Sequence, residues 1–389
     1  MAKDEEWERR RAIDRFLRGE SPSAICGSMG HSRHWFYTWL ERYRGGDAQW
    51  FGERSRRPHS NPRRSSKEIE EIVMMVRLSL YNRGLFHGAQ AIRWELDELG
   101  VKPPPSVRTI NRILVRHELT HRRTGRYEPK GRKYPALRAE RAGDVHQSDF
   151  VGPCYLNGPV RFYSLNSIDV ATRRCAIEPT LARSAQHTID AIWASWMRLG
   201  MPRHQQVDNE AVFYGSQTHP RGMGSLIRLC LLNDTEAWFI PPGEPWRNGI
   251  VEKFNDHWQQ KFKDRVVMNS EAELRRQSPL FEQRHNALYR YSPLGGKTPA
   301  AALAASAVPL RFPATDRAPR HPLAKPEAGH YHLIRFIRSE GILDIFGEKF
   351  SVPPQATYEY VRATVDVRRQ RLQVFLDDVL IDEHPYQLR

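Results

Sequence analysis

Pro245-Trp-Arg-Asn-Gly-Ile-Val-Glu-Lys-Phe-Asn255 is a turn that runs into a helix. Pro, Asn and Gly punctuate its first half. From Val251 onward, Phe254, Trp258 and Phe262 recur at helical spacing and form a core stripe. Glu252, Asn255, Asp256, Gln259 and Lys263 share the other side. The Glu252 carboxylate therefore leaves the helix away from the core, with amides and a lysine behind it. The spacing predicts a helix over residues 248–267.

The segment before this helix reads as strands. Residues 145–151, 160–169 and 174–179 carry short strand patterns separated by the turn signals Asn157-Gly158 and Ala171-Thr172. A helix over 185–199, a strand at 205–208 and another at 237–240 complete a mixed α/β domain over residues 144–300. Between 210 and 233 no pattern can be assigned. Within Gln147-Ser-Asp-Phe-Val-Gly152, alternation puts Val145, Gln147 and Asp149 on one side of the first strand. Asp208 ends Gln205-Gln-Val-Asp208, so its carboxylate leaves the sheet at the carboxyl edge, where α/β sites collect. Asp169 ends the second strand beside a turn and reads as a turn cap. Glu210 would approach the site if its loop folds back.

Three acids carried by a strand, a strand end and a helix suit one chemistry. Transfer at a phosphodiester needs hard cations, and carboxylates converging from separate elements hold them. Asp149 and Asp208 are 59 positions apart (208 − 149), and Asp208 and Glu252 are 44 apart (252 − 208).

Residues 1–50 read as three helices, of which Ser32 caps the third. Its Phe36, Trp39, Leu40 and Tyr43 repeat at helical spacing, leaving Arg33, His34, Tyr37 and Thr38 on the outer face. Such side chains reach base edges in a major groove, so the unit reads as a helix-turn-helix. His31 and His34 are followed by no CxxC, which argues against zinc there. A proline- and arginine-rich linker follows at 51–65, with Arg56, Arg57, Arg63 and Arg64 suited to a narrow minor groove. A second three-helix pattern spans 66–120. Its last helix, opened by Ser106, presents Arg108, Thr109, Asn111 and Arg112 outward while Val107, Ile110, Ile113 and Leu114 pack. Residues 121–143 form a basic connector. An Ala- and Pro-rich linker at 301–328 leads to alternating strands over 329–389, which read as a small β-barrel.

The 389-residue chain carries a formal net charge of +15, which favours a polyanionic partner through counterion release. No apolar run approaches a membrane span, and the charged N-terminus has no apolar stretch after it, so the expected location is cytoplasmic. Cys26, Cys154, Cys175 and Cys230 are scattered and read as reduced, buried thiols.

Taken together, these motifs resemble the DDE transposases of bacterial insertion sequences, relatives of retroviral integrases. The resemblance rests on the tandem helix-turn-helix region, Ser55-Arg-Arg-Pro-His-Ser-Asn-Pro-Arg-Arg64, the QSDF strand, Ser167-Ile-Asp-Val-Ala-Thr-Arg173, Val207-Asp-Asn-Glu210, the P-W-R-N-G-x-V-E helix start and the C-terminal strands. It implies a ribonuclease-H-like core between an all-α tandem helix-turn-helix region and a small C-terminal β-barrel. It also implies that Asp149, Asp208 and Glu252 are catalytic and coordinate two Mg²⁺ ions, with Mn²⁺ as a substitute. Asn248 and Asn209 would stand behind them, and Lys263 would face DNA. The partners implied are double-stranded DNA, as transposon ends and target, and further copies of the chain on that DNA, near the nucleoid. Two departures stand out: no glycine follows Asp208, and the second interval is long, so 210–233 reads as an insertion. Trp246 and Arg247 would stack on or clamp a nucleotide, or Trp246 would close the core. Two rivals are a DNA-binding regulator or inactive copy without catalysis, and a nuclease acting on RNA in hybrids.

Overall fold

A computed structural model describes residues 2–53, 64–120, 133–215 and 221–389. The chain divides into two compact units, Met1–Ser65 and Ser66–Arg389.

The first unit is three helices, α1 (Ala2–Leu17), α2 (Pro22–Met29) and α3 (Arg33–Arg44). Ser21 and Ser32 occupy the cap positions of α2 and α3, each accepting a backbone N–H from the first turn. Gly30 ends α2 in the left-handed region at φ 68°, which lets the chain turn within three residues into α3. Ala12, Ile13, Ile25, Phe36 and Leu40 make the core.

The second unit opens with α4 (Lys67–Asn82), α5 (Ala89–Glu98) and α6 (Val107–Arg116). Val73, Val76, Ile92, Leu96, Ile110 and Ile113 bury one face of each helix, and Tyr289, from far along the chain, completes this cluster. The Tyr289 hydroxyl donates to the Gly84 carbonyl at 2.7 Å, and Phe86 packs edge-on against both Tyr289 and Tyr291. The three helices therefore share their core with the α/β region that follows.

That region runs β1 (Val145–Tyr155), β2 (Arg161–Asp169), β3 (Cys175–Thr180), α7 (Ala185–Leu199), β4 (His204–Val207), α8 (Ala211–Tyr214), α9 (Ser225–Leu231) and β5 (Glu236–Phe239). It continues with α10 (Gly249–Trp258), α11 (Glu271–Leu288) and α12 (Pro299–Ala304). The last segment holds β6 (His330–Phe336), β7 (Ile342–Ile345), β8 (Glu348–Ser351), β9 (Tyr360–Asp366), β10 (Arg371–Leu376) and β11 (Val379–Pro385). One nine-stranded sheet, ordered β11-β10-β9-β6-β5-β4-β1-β2-β3, carries the unit. β1 to β3 form an antiparallel meander, while β1, β4, β5 and β6 run parallel.

Alternation along β2 shows how the sheet is covered on both faces. Leu165 joins a core with Trp196, Leu226, Leu229 and Phe239, while Phe162 and Ile168 join Val251, Phe254, Trp258 and Phe281 on the other side. The stretch at 210–233 that shows no sequence pattern folds, in its described part, as α8 and α9. It buries Phe213, Tyr214, Leu226, Ile227 and Leu229.

The C-terminal strands correct one expectation. Among the described residues they close no barrel of their own: β6 pairs in parallel with β5, and β9, β10 and β11 extend the same sheet. An unpaired β5 would leave a row of open N–H and C=O groups at the edge of the core, and β6 satisfies them. The helix expected over 248–267 is α-helical through Trp258 and then widens into a π-helical turn at Gln259–Lys263. Among the described residues, no helix is long and apolar enough to cross a membrane.

Candidate active site

Asp149 lies midway along β1, directly opposite Asn166 of β2. Asp208 follows the last residue of β4, and Glu252 sits in the first turn of α10. Strand β1 pairs with β4, and α10 packs on β1 and β2, so three elements bring the acids toward one end of the sheet.

What seats α10 there is a side chain from β1. The Gln147 Oε1 accepts the backbone N–H groups of Ile250 and Val251 at 3.0 and 3.1 Å, capping two free donors at the helix start. Gln147 is two residues from Asp149 on the same side of the strand, so one strand both carries an acid and anchors the helix that carries another. Asn248, just before α10, is buried. It donates to the Ser148 carbonyl at 3.2 Å and accepts from Gln206 Nε2 at 3.3 Å, which ties the turn to β1 and β4.

A chain of amides fixes Asp149 itself. Ser164 donates to Asn166 Oδ1 at 2.7 Å, Asn166 Nδ2 to Asn255 Oδ1 at 2.8 Å, and Asn255 Nδ2 to Asp149 Oδ2 at 2.9 Å. Asn255 was visible in the sequence as the neighbour of Glu252 one turn on. Asn166 was not singled out, although a polar side chain inside a buried strand is itself a signal.

The acids sense one another. Burial pushes the Asp149 carboxyl up, and the charges of Asp208, Glu210 and Glu252 push it further, to about 7. Asp208 is raised to about 6 by burial and by Glu210, against the pull of the Glu210 N–H, which it accepts at 3.0 Å, and of Arg183. Glu252 is raised by burial and by Asp256. Glu210 does approach the site, where it pairs with Arg183. Repelling carboxylates of this kind, all hard oxygen donors, fit a hard divalent cation in their chemistry. As the side chains lie, no three His, Cys, Asp or Glu residues among those described converge closely enough to hold a metal.

Other residues singled out from sequence fall as follows. Asn209 bridges two strands, donating to the Ile240 carbonyl and accepting from Arg335 at 3.0 Å. Asp169 is a turn cap: its oxygens accept the N–H and hydroxyl of Thr172, both at 2.6 Å, and the Gly143 N–H at 2.8 Å. Lys263 pairs with Asp264 at 3.1 Å. Trp246 is 48% exposed and so does not close the core. Arg247 is engaged within the fold, stacked 3.8 Å over the Tyr134 ring and bonded to Glu244 at 3.0 Å.

On the helical units, Arg33, His34 and Tyr37 lie exposed on α3, with Arg33 donating to Ser23. Arg108, Asn111 and Arg112 lie exposed on α6, while Thr109 is half-buried and bonded to the cap Ser106 at 3.0 Å. Arg64 is exposed. Arg56, Arg57 and Arg63 fall outside the described residues. All four cysteines are buried and free.

Residues 3–51 match the homeodomain-like domain family. The helix-turn-helix reading of the N-terminal unit rests on that match as well as on α3. The homeodomain-like segment is a small part of the chain, and three solved integrase structures are similar to parts of it. The HTLV-2 integrase catalytic core domain in complex with magnesium (trimeric form) has a TM-score of 0.32 and 15% identity over 42% of this chain and 99% of that one. Its dimeric form gives 0.31 and 17%, over 42% and 97%. The simian T-cell lymphotropic virus intasome in complex with PP2A regulatory subunit B56 gamma gives 0.38 and 15%, over 76% and 93%.

Proposed function

We propose that this protein is a transposase that binds the terminal inverted repeats of an insertion sequence, cuts DNA at those ends and joins them to target DNA. One observation carries the reading. Asp149 on β1, Asp208 at the end of β4 and Glu252 on α10 share one electrostatic environment, in which Asp149 is raised by burial and by the charges of the other acids. The sheet order β3-β2-β1-β4-β5 with helices on both faces supports a ribonuclease-H-like core. The homeodomain-like match and the exposed cationic faces of α3 and α6 support DNA binding upstream of that core.

In this reading Asp149, Asp208 and Glu252 hold two Mg²⁺ ions, which would supply polarisation of the phosphodiester and stabilisation of the departing oxygen. The chain's own part is to keep the acids aimed. Asn255 orients Asp149 by donating to its Oδ2. Gln147 locks the first turn of α10, and with it Glu252, to the strand that carries Asp149. Two ends have to meet, so a homo-oligomer on DNA, in the cytoplasm at the nucleoid, is part of the proposal.

The test is incubation of the purified protein and Mg²⁺ with labelled duplex taken from the borders of its gene. Nicking followed by joining supports a transposase. Binding alone makes the protein a regulator or an inactive copy, and breakdown of only the RNA in a hybrid makes it a hybrid nuclease.

A further inference from the structure

Between the helices α4–α6 and the far end of α10 lies a groove of about 800 Å³ that the proposed chemistry does not use. Arg77, His87, His257 and Lys261 line it, and among the described residues no Asp or Glu does. Arg77 donates to two carbonyls, those of His87 at 2.9 Å and Leu119 at 2.6 Å. The Lys261 Nζ stands 3.5 Å from His87 Nδ1. Among the described residues neither Arg77 nor Lys261 has a carboxylate partner. The cations consequently work against each other: burial and the charges of Arg265 and Arg77 hold Lys261 below its usual range, and His87 is lowered by burial and by Lys261, Arg77 and Arg265. Unbalanced positive charge of this kind is relieved by an anion.

The start of α5 opens into the same groove. Gly88 is its cap residue and offers no side chain to the first-turn N–H groups, which carry the positive end of the helix dipole. A Cβ built on Gly88 would meet nothing within 4 Å, so the approach is open. His257 adds a buried ring nitrogen, Nδ1, with no hydrogen-bond partner among the described residues. A helix start, a guanidinium and an ammonium around one space make a phosphate site.

The neighbours say which phosphate. Asn111 and Val115 of α6 line this groove, and with Arg108 and Arg112 they also line the outer face of α6. Lys261 lies nine residues beyond Glu252 along α10 and its π-helical turn, about 14 Å at roughly 1.5 Å per residue. We propose that the groove takes a backbone phosphodiester of the DNA read by α6, and so sets a fixed offset between the sequence read and the phosphate cut. This rests on the DNA-binding reading above.

The test titrates the full chain with random-sequence duplex over a range of salt, comparing wild type with Lys261→Glu and Gly88→Asp. An Asp at a cap position satisfies the helix N–H groups and should leave the melting temperature unchanged or higher, while its charge repels phosphate. Both variants are expected to bind roughly tenfold more weakly, with a log–log salt slope reduced by about one for Lys261→Glu. Wild-type affinity and slope in both would overturn the proposal. Inorganic phosphate or ATP stabilising the wild type alone against heat, with duplex affinity unchanged in the variants, would overturn it in favour of a free phosphate ligand. If the wild type binds no duplex at all, the DNA-binding reading falls first and this inference with it.

Discussion

Asn255 Nδ2 donates to Asp149 Oδ2 at 2.9 Å, so a helix side chain one turn past Glu252 aims a carboxylate borne by a strand 106 residues away. The two acids are therefore not oriented independently. A disturbance of α10 moves both.

Asn255→Ala should lower the cleavage rate by roughly 10- to 100-fold, the usual cost of losing a partner behind a ligand, while leaving duplex affinity unchanged. Asn166→Ala, one step further back in the amide chain, should cost less. A single-turnover cleavage assay alongside a binding titration separates the two effects. Loss of binding in Asn255→Ala would contradict the orienting role.

Asp149 gives a pH dependence with a definite sign. Its carboxyl is raised to about 7 in the fold, so the folded state holds the proton more tightly than the unfolded chain. Stability contributed by this group is full below the unfolded value near 3.8 and falls as pH rises toward 7, by on the order of 4 kcal/mol. Without divalent cations, Asp149→Asn should melt higher than wild type at about pH 8, and the gain should vanish near pH 4. Chelator should likewise lower the wild-type melting temperature at the higher pH and leave Asp149→Asn unmoved. Thermal scans across pH check both.

Gln147→Ala should uncap α10. Two backbone donors lose their acceptor, at a cost of about 1–3 kcal/mol, read as a lower melting temperature. Cleavage should fall with it because Glu252 rides on the freed turn. An unchanged melting temperature would show that the cap contributes nothing.

Much of this was legible before any coordinates. The strand around Asp149 and the helix around Glu252 announce themselves because burial imposes periods of two and of 3.6 on their own residues. Partnership is a different matter. Gln147 reads as lying beside Asp149, yet nothing local says that it caps α10, 103 residues on. The strands after residue 329 alternate correctly, but alternation reports that one face is buried and not which edge is paired, so they read as a barrel when β6 in fact continues the core sheet. Similarly, the helices at 66–120 read as a separate reader because Tyr289, which completes their core, lies far down the chain.

Tyr289 offers a measure of that docking. Tyr289→Phe removes the bond to Gly84 and should cost about 1 kcal/mol, whereas Tyr289→Ala also opens the shared core and should cost roughly 3–5 kcal/mol. Hydrogen exchange should show the loss concentrated in α4, α5 and α6. Uniform loss across the sheet would contradict a local docking role.

The central claim is that three acids make one catalytic site, and its most direct measurement is Mg²⁺-dependent cleavage of a labelled border duplex by wild type, Asp149→Asn, Asp208→Asn and Glu252→Gln, with duplex affinity followed in parallel. The account predicts cleavage by wild type only, and binding at wild-type strength by all four. Cleavage at the wild-type rate by any one of the three variants would contradict it.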